Sequence, residues 1–189
     1  MKIALFGGTF DPIHLGHGAL AERAASDAEL DRVIFIPCQQ SPHKTDSTQA
    51  TGEQRCEMIR LATAELNWAE VSTLELERDS PSFSWQTAQH FSNQYPDDEL
   101  FWILGADQWV KLETWAKPNL LAQLTTFLVF ARGNDVLEEK PGFRYLQLRD
   151  FDHPASATEA RNSHQAAERF LHPGVFQYAM DNQLYDWKD

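Results

Sequence analysis

The sequence predicts an α/β protein built on one parallel β-sheet with helices on both faces. Three observations carry this. Short apolar runs alternate with stretches of helical spacing from the first residues to about residue 132. The runs KIALFG, RVIFIPC and ELFWILG are apolar at nearly every position, as strands buried on both faces are. The connections are short, and neither a repeat nor a low-complexity segment interrupts them, so the 189 residues read as one domain, 1–189.

The elements follow in order. KIALFG (2–7) is the first strand, and HGALAERAASDAEL (17–30) then places Leu20, Ala21, Ala24, Ala25 and Ala28 on one helical face. RVIFIPC (32–38) is β-branched and aromatic, and Pro37 closes it. After the polar loop SPHKTDSTQA, Thr51 and Gln54 form a capping box that opens a helix with Cys56, Ile59, Ala62 and Leu66 on one side. AEVSTLELE (69–77) alternates with period two and predicts a strand. A loop, RDSPSFS, leads into a helix over 84–94, and ELFWILG (99–105) is the next strand. Pro118 suits the first turn of a helix before a fifth strand, TTFLVFAR (125–132), with FRYLQL as a sixth. The last forty residues read as helix, SATEARNSHQAAERFL and then VFQYAMDNQ, interrupted by HPG at 172–174. The whole is a Rossmann-like, doubly wound sheet with a C-terminal helical segment.

Composition narrows the function. Hydrophobic residues make up 42% of the chain, and no apolar run approaches a membrane span. The chain starts directly in a strand pattern, without the features of a secretory leader. Cys38 and Cys56 lack metal or CxxC spacing and read as buried, reduced thiols of a cytoplasmic protein. The formal net charge of -12 repels a nucleic-acid backbone, so no polynucleotide partner is expected. A pocket on an acidic protein can still hold a small anion, because donors a few ångströms away outweigh screened distant charges. Nothing in the sequence marks a self-complementary surface.

The chemistry concentrates in GGTFDPIHLGH (7–17), between the first strand and the first helix. Ligands of doubly wound sheets lie beyond the carboxyl ends of the strands, where strand order reverses, and this loop and GADQW (105–109) are expected to face that crevice. Gly7 and Gly8 read as positions where the backbone approaches a ligand and adopts torsions barred to other residues. The free N–H groups and positive dipole end of the following helix make an anion site. His14 and His17, three apart on its first turn, share a side, and Gly16 removes a side chain between them. The stretch matches neither GxGxxG nor GxxxxGK[ST]. Three readings of the two histidines stay open: phosphate binding, a structural pair in which one caps and one packs, and a partial metal site with no Glu or Cys to complete it.

GGTFDPIHLGH resembles the signature of the (H/T)xGH nucleotidyltransferase superfamily. More closely, the chain resembles the bacterial nicotinate mononucleotide adenylyltransferases, nearly end to end. The resemblance includes SPHK (41–44), PSFSWQT (81–87), ILGADQ (103–108), Trp115, SATEAR (156–161), VFQY and the Leu184-Tyr185 pair. It implies transfer of AMP from ATP to nicotinate mononucleotide, with pyrophosphate leaving and Mg2+ accompanying ATP. His14, His17, Lys44 and Arg161 would be catalytic. Gly7, Gly8, Thr9, Phe10, Gly16, Gly105, Asp107, Ser156 and Thr158 would join His14, His17 and Arg161 in holding ATP. Lys44, Ser84, Thr87, Asp107 and Trp115 would hold the mononucleotide, Trp115 by stacking on the pyridine ring. No dedicated protein metal site is implied, since Mg2+ keeps most of its waters and needs few carboxylates.

The nucleophile is already an anionic phosphate, so the chemistry needs positioning and charge neutralisation more than a strong base. Each residue also has a structural reading: Asp107 and Ser84 as helix caps, Trp115 as core, Arg161 and Lys44 as solvated surface. Where the family commonly reads ISSTxIR, this chain has Ala155-Ser156-Ala157-Thr158-Glu159-Ala160-Arg161, and the preceding LRDFDHPA lacks the usual apolar lead-in. Ser41 stands where Pro is common. The alternatives are dual use of nicotinate and nicotinamide mononucleotides, a pantetheine-phosphate adenylyltransferase, and a nucleotide-sensing module without catalysis.

Overall fold

A computed structural model describes residues 1–39, 48–79, 81–131, 137–148 and 153–187. Among them a sheet of six parallel strands has the order β3-β2-β1-β4-β5-β6. The strands are β1 (Lys2–Gly8), β2 (Arg32–Pro37), β3 (Ala69–Val71), β4 (Glu99–Gly105), β5 (Thr126–Phe130) and β6 (Tyr145–Leu148). The helices are α1 (Leu15–Asp27), α2 (Gly52–Thr63), α3 (Ser84–Gln94), α4 (Ala106–Lys111), α5 (Pro118–Leu124), α6 (Ala157–Asn162), α7 (His164–Phe170) and α8 (Pro173–Asp181).

The alternation of side chains along β1 builds both layers. Ala4 and Phe6 face a core closed by Ala21 and Ala24 of α1, Ile59 of α2, Ala167 of α7 and Val175 of α8. Ile3 and Leu5 face the opposite core, with Ala88 and Phe91 of α3, Trp109 of α4 and Leu121 of α5. The chain therefore winds outward from β1 to β3 over one face, returns through α3, and winds outward again from β4 to β6. The reversal falls between β1 and β4, which pair directly. No helix among the described residues is long and apolar enough to cross a membrane.

Three expectations are corrected. The alternating stretch 69–77 forms a strand only over Ala69–Val71. Ser72 N–H makes one more bond to Phe35 O at 2.9 Å, and the chain then turns, Leu76 N–H bonding Thr73 O at 2.8 Å. The alternation would have placed Glu75 on the strand, whereas the turn carries its side chain into a buried position. The helix expected across SATEARNSHQAAERFL breaks at Ser163, whose backbone is extended and whose side chain caps α7 by accepting Ala166 N–H at 3.2 Å. HPG begins a helix rather than merely interrupting one: His172 caps α8 and Pro173 opens it.

Candidate active site

A cavity of about 370 Å3 opens at the carboxyl ends of β1 and β4, at the reversal of strand order. Gly7, Gly8 and Thr9 line it from β1, Gly105 and Gln108 from β4 and α4, and Lys111, Trp115, Ser84 and Glu75 from the side of α3 and α4. Its position follows from topology: connections leaving β1 and β4 diverge to opposite faces of the sheet and leave a crevice between them.

The glycines serve packing rather than torsion. Gly7 and Gly8 lie within β1, and neither has a positive φ. A Cβ on Gly8 would stand 2.8 Å from the Phe10 ring, and one on Gly7 would stand 3.2 Å from the Trp102 ring. The left-handed residue of the loop is Phe10, at φ 49°. Its side chain is 2% exposed and packs edge-on against Phe6, Phe35 and His17. Phe10 therefore anchors the loop from beneath, and only its backbone remains to meet a nucleotide.

Beyond Phe10 the loop is held by Asp11. This carboxylate is 4% exposed and accepts Gln49 N–H at 2.7 Å, Ala50 N–H at 3.2 Å and the Tyr185 hydroxyl at 2.9 Å. Burial, and after it the Asp11 charge, push the Tyr185 phenol upward, so it stays a donor. Arg55, itself buried, donates to Thr9 O at 2.7 Å and Cys38 O at 2.8 Å, joining the ends of β1 and β2.

The two histidines cap their own helix. His14 is the N-cap of α1, and its Nδ1 accepts His17 N–H at 3.3 Å, while His17 Nδ1 accepts His14 N–H at 3.2 Å. The rings stack at 3.6 Å with 20° between their planes. An Nδ1 that accepts a backbone N–H keeps its lone pair there, so the proton of each neutral ring is on Nε2. Burial, aided by His153, holds the His14 imidazole down at about 4, so it is neutral near pH 7. Two parallel Nε2–H donors thus stand at the positive end of a 13-residue helix whose first N–H groups have no intrahelical partner. A Cβ on Gly16 would meet the His14 ring at 3.1 Å and the His153 ring at 3.2 Å.

Arg161 reaches the loop before α1 from α6. It donates to Asp11 O at 2.5 Å and to Thr158 Oγ1 at 3.4 Å, which leaves further guanidinium donors for an anion. Ser156 is the N-cap of α6, its hydroxyl oxygen accepting Glu159 N–H at 3.4 Å. Trp187 Nε1 donates to Ala160 O at 2.7 Å and ties the chain's last described residues to this helix.

Of the residues expected to hold a mononucleotide, Ser84 and Trp115 line the cavity and Thr87 does not. Ser84 opens α3 without capping it, since Phe83 is the N-cap, and its hydroxyl is available to the cavity. Thr87 is 0% exposed, and its hydroxyl donates to Glu75 Oε1 at 2.6 Å. It acts on the cavity through Glu75, whose carboxyl is pushed up by burial while bonds from Thr87 and Ser82 oppose the shift. Asp107 is exposed on the first turn of α4, caps nothing, and accepts Gln108 Nε2–H at 2.9 Å. A Cβ on Gly105 would stand 2.7 Å from Asp107 Oδ1, so this glycine gives the carboxylate its place. Lys44 lies outside the described residues.

Sequence reasoning assigned no role to Asp11, Arg55, Glu75, Lys111 or His153. A short polar residue in a loop gives no sign of partners as remote as Tyr185. Among the described residues no group of three or more His, Cys, Asp or Glu side chains could hold a metal ion.

The Cytidylyltransferase-like family model matches residues 5–163. A probable nicotinate-nucleotide adenylyltransferase of Methylacidiphilum infernorum is 37% identical, the match covering 97% of this chain and 92% of that one. One of Neisseria gonorrhoeae is 36% identical, with 98% of both chains covered. The structure of Plasmodium falciparum nicotinic acid mononucleotide adenylyltransferase complexed with NaAD superposes with a TM-score of 0.80 at 17% identity, covering 99% of this chain and 98% of that one. A putative nicotinate-nucleotide adenylyltransferase of Vibrio parahaemolyticus superposes at 0.70 with 18% identity, over 95% and 98%. These two likenesses establish the fold.

Proposed function

The chain belongs to the Cytidylyltransferase-like family and, within it, to the nicotinate-nucleotide adenylyltransferases, and from this premise we propose that it transfers AMP from ATP to nicotinate mononucleotide. A phosphate oxygen of the mononucleotide forms a bond to the α-phosphorus of ATP. The bond from that phosphorus to the bridging oxygen breaks, and pyrophosphate leaves with the electron pair. The products are nicotinate adenine dinucleotide, a precursor of NAD, and pyrophosphate.

One observation supports the reading above others: the stacked His14 and His17 rings carry their protons on Nε2 at the N-terminus of α1, where the chain enters that helix after the cavity-lining Gly8 and Thr9. Donors fixed before the reaction stabilise charge that develops on the transferred phosphoryl group, without a cost of reorganisation. In this reading Arg161 holds the β- and γ-phosphates with the donors that Asp11 and Thr158 leave over. Ser156, Thr158, Gly16 and the backbone of Gly7 to Phe10 bound the triphosphate, Asp107 with Gly105 meets ribose hydroxyls, and Trp115 stacks on the pyridine ring. Lys44 is assigned a phosphate of either substrate.

Magnesium would accompany ATP and would supply charge neutralisation on the triphosphate. The lining fits this, because among the described residues its one carboxylate is Glu75, which Thr87 and Ser82 already bond. The proposal includes one catalytic domain over 1–189 and a cytoplasmic location, with the buried Cys38 and Cys56 kept as thiols.

The test is pyrophosphate release from MgATP with nicotinate mononucleotide, nicotinamide mononucleotide and phosphopantetheine offered in parallel. A strong preference for the nicotinate form is expected. Equal use of both pyridine nucleotides replaces it with the dual-specificity alternative, and turnover with phosphopantetheine alone replaces the substrate. ATP binding without turnover on any of the three leaves a nucleotide-sensing module.

A further inference from the structure

Among the described residues that line the cavity, Glu75 and Lys111 are the charged ones. Glu75 is engaged, by Thr87 at 2.6 Å and by Ser82. Lys111 is not. The other described lysines are held elsewhere: Lys2 by Glu29 at 3.3 Å, Lys140 by Glu113 at 2.6 Å, and Lys117 over the Trp85 ring at 3.8 Å. Among the described residues no ion pair, hydrogen bond or ring contact holds the Lys111 ammonium. Asp107, one helical turn earlier, accepts from Gln108 at 2.9 Å instead, and Glu113 belongs to Lys140. Lys111 ends α4, and the single helical turn Leu112–Thr114 carries the chain on to Trp115. Thr114 Oγ1–H donates to Lys111 O at 2.7 Å and Trp115 N–H to Leu112 O at 3.1 Å. Residues four apart along helical turns are neighbours, and Lys111 and Trp115 both line the cavity. A cation on a flexible four-carbon stem thus belongs to the wall that carries the indole. His14, His17 and Arg161 are not among the lining residues, so Lys111 is a source of positive charge separate from theirs.

We propose that Lys111 pairs with the carboxylate on the pyridine ring of nicotinate mononucleotide and so selects it over the nicotinamide form. The inference rests on the adenylyl-transfer reading, with the ring stacked on Trp115. The two mononucleotides share phosphate, ribose and pyridinium, and differ in one ring substituent, a carboxylate in one and a neutral amide in the other. An ammonium gives the carboxylate a charge-assisted bond, whereas the amide oxygen accepts an ordinary one. The pairing is complete in the bound substrate, so its loss acts on KM for the nicotinate form more than on kcat. Lys111 is exposed, so salt screens the attraction and weakens the preference.

The test compares kcat/KM for nicotinate and nicotinamide mononucleotides, at saturating MgATP, in wild type, Lys111→Met and Lys111→Arg. Met keeps the length of the side chain and removes its charge, and Arg keeps the charge. In Lys111→Met, kcat/KM for the nicotinate form is expected to fall about tenfold, as for one hydrogen bond to a charged group, and that for the nicotinamide form far less. The ratio of the two therefore falls, through KM, and Lys111→Arg restores most of it. Added salt is expected to lower the ratio in wild type and to leave it flat in Lys111→Met, a difference that a structural role does not produce. Equal falls for both mononucleotides overturn the proposal and place Lys111 on the phosphate that they share. An unchanged ratio with unchanged rates overturns it outright, and so does an increase confined to KM for MgATP. If Lys111→Met melts early, Lys111→Gln at a wild-type melting temperature decides by the same ratio. Calorimetric titration of both mononucleotides, with a non-hydrolysable ATP analogue present, separates failure of the reaction from failure of the pairing. A wild type that makes no dinucleotide but binds the nicotinate form about tenfold more tightly than Lys111→Met does refutes the reaction and keeps the pairing. Equal affinity of the two proteins for the nicotinate form refutes the pairing whatever the turnover.

Discussion

His14 and His17 hold each other in place: each Nδ1 accepts the backbone N–H of the other at 3.2–3.3 Å, and the rings stack at 3.6 Å. The capping and phosphate-binding readings of the motif are therefore compatible. Capping uses Nδ1, and the tautomer it fixes carries its proton on Nε2, the donor form that binds an anion. The i, i+3 spacing is required by both, since the reciprocal cap joins the N-cap to the third helical residue.

His17→Ala removes one donor and one half of this cap. Turnover is expected to fall by about 10²-fold or more, as when one preorganised donor to developing charge is lost. Stability is expected to fall by about 1 kcal/mol, the usual cost of a lost cap. Initial rates and a denaturant titration on the same preparation measure the two. A fall in stability with turnover intact removes His17 from the chemistry and leaves it as a cap.

The depressed His14 value carries a pH dependence. The unfolded chain protonates this imidazole near its ordinary 6.5, and the native protein near 4. Between those values the unfolded state binds more protons, so the contribution to stability is complete above about pH 6.5 and is lost as pH falls towards 4. Protonation also places a hydrogen on Nδ1, opposite the His17 N–H, and breaks the cap. Denaturant midpoints of wild type and His14→Asn at pH 7, 6, 5 and 4 test this, because Asn can cap and does not titrate. Wild type is expected to lose on the order of 2 kcal/mol more than the variant over that range. Parallel curves refute it.

Trp115 lines the cavity with Ser84 and Lys111, and neither His14 nor His17 is among its lining residues. Trp115→Ala is therefore expected to raise KM for the mononucleotide about tenfold and to leave KM for MgATP near its wild-type value, stacking on a base being worth about 1–3 kcal/mol. Steady-state kinetics with each substrate varied in turn give the comparison. Equal increases for both substrates remove the stacking role.

The sheet was legible because its information is local. KIALFG, RVIFIPC and ELFWILG are apolar on both faces, and the capping box at Thr51 and Gln54 is found as expected. The reading of 69–77 failed because period two says nothing of where a chain turns, and the inward-turned Glu75 is satisfied by Thr87, twelve residues on. The break at Ser163 was obscured for the opposite reason: Ser is tolerated in helices, and only its extended backbone and its bond to Ala166 reveal a cap. In the site, HLGH carried its own spacing and was read directly. Gly8 was read through its torsion, whereas its neighbour Phe10 takes the left-handed backbone and fills the space where a Cβ would be. Asp11 was invisible because its partners Gln49, Ala50 and Tyr185 are 38, 39 and 174 residues away.

The Tyr185 bond makes the end of the chain part of the site. Its hydroxyl donates to Asp11 Oδ1 at 2.9 Å, and Asp11 O in turn accepts from Arg161 at 2.5 Å, so the loop that ends in His14 is braced from the C-terminal segment. Tyr185→Phe removes the donor and keeps the ring against Trp187, 5.4 Å away. Asp11 retains its two backbone donors, so a loss of about 1.5–3 kcal/mol is expected, that of one hydrogen bond to a charged group. Because the loop positions His14 while Trp115 is set by the single helical turn Leu112–Thr114 that follows α4, kcat is expected to fall several-fold with KM for the mononucleotide unchanged. A denaturant titration and a full rate profile at 25 °C provide both numbers. Destabilisation with wild-type kcat means that Tyr185 supports the fold alone, because a loop that keeps its catalytic geometry without the bond does not depend on it for positioning.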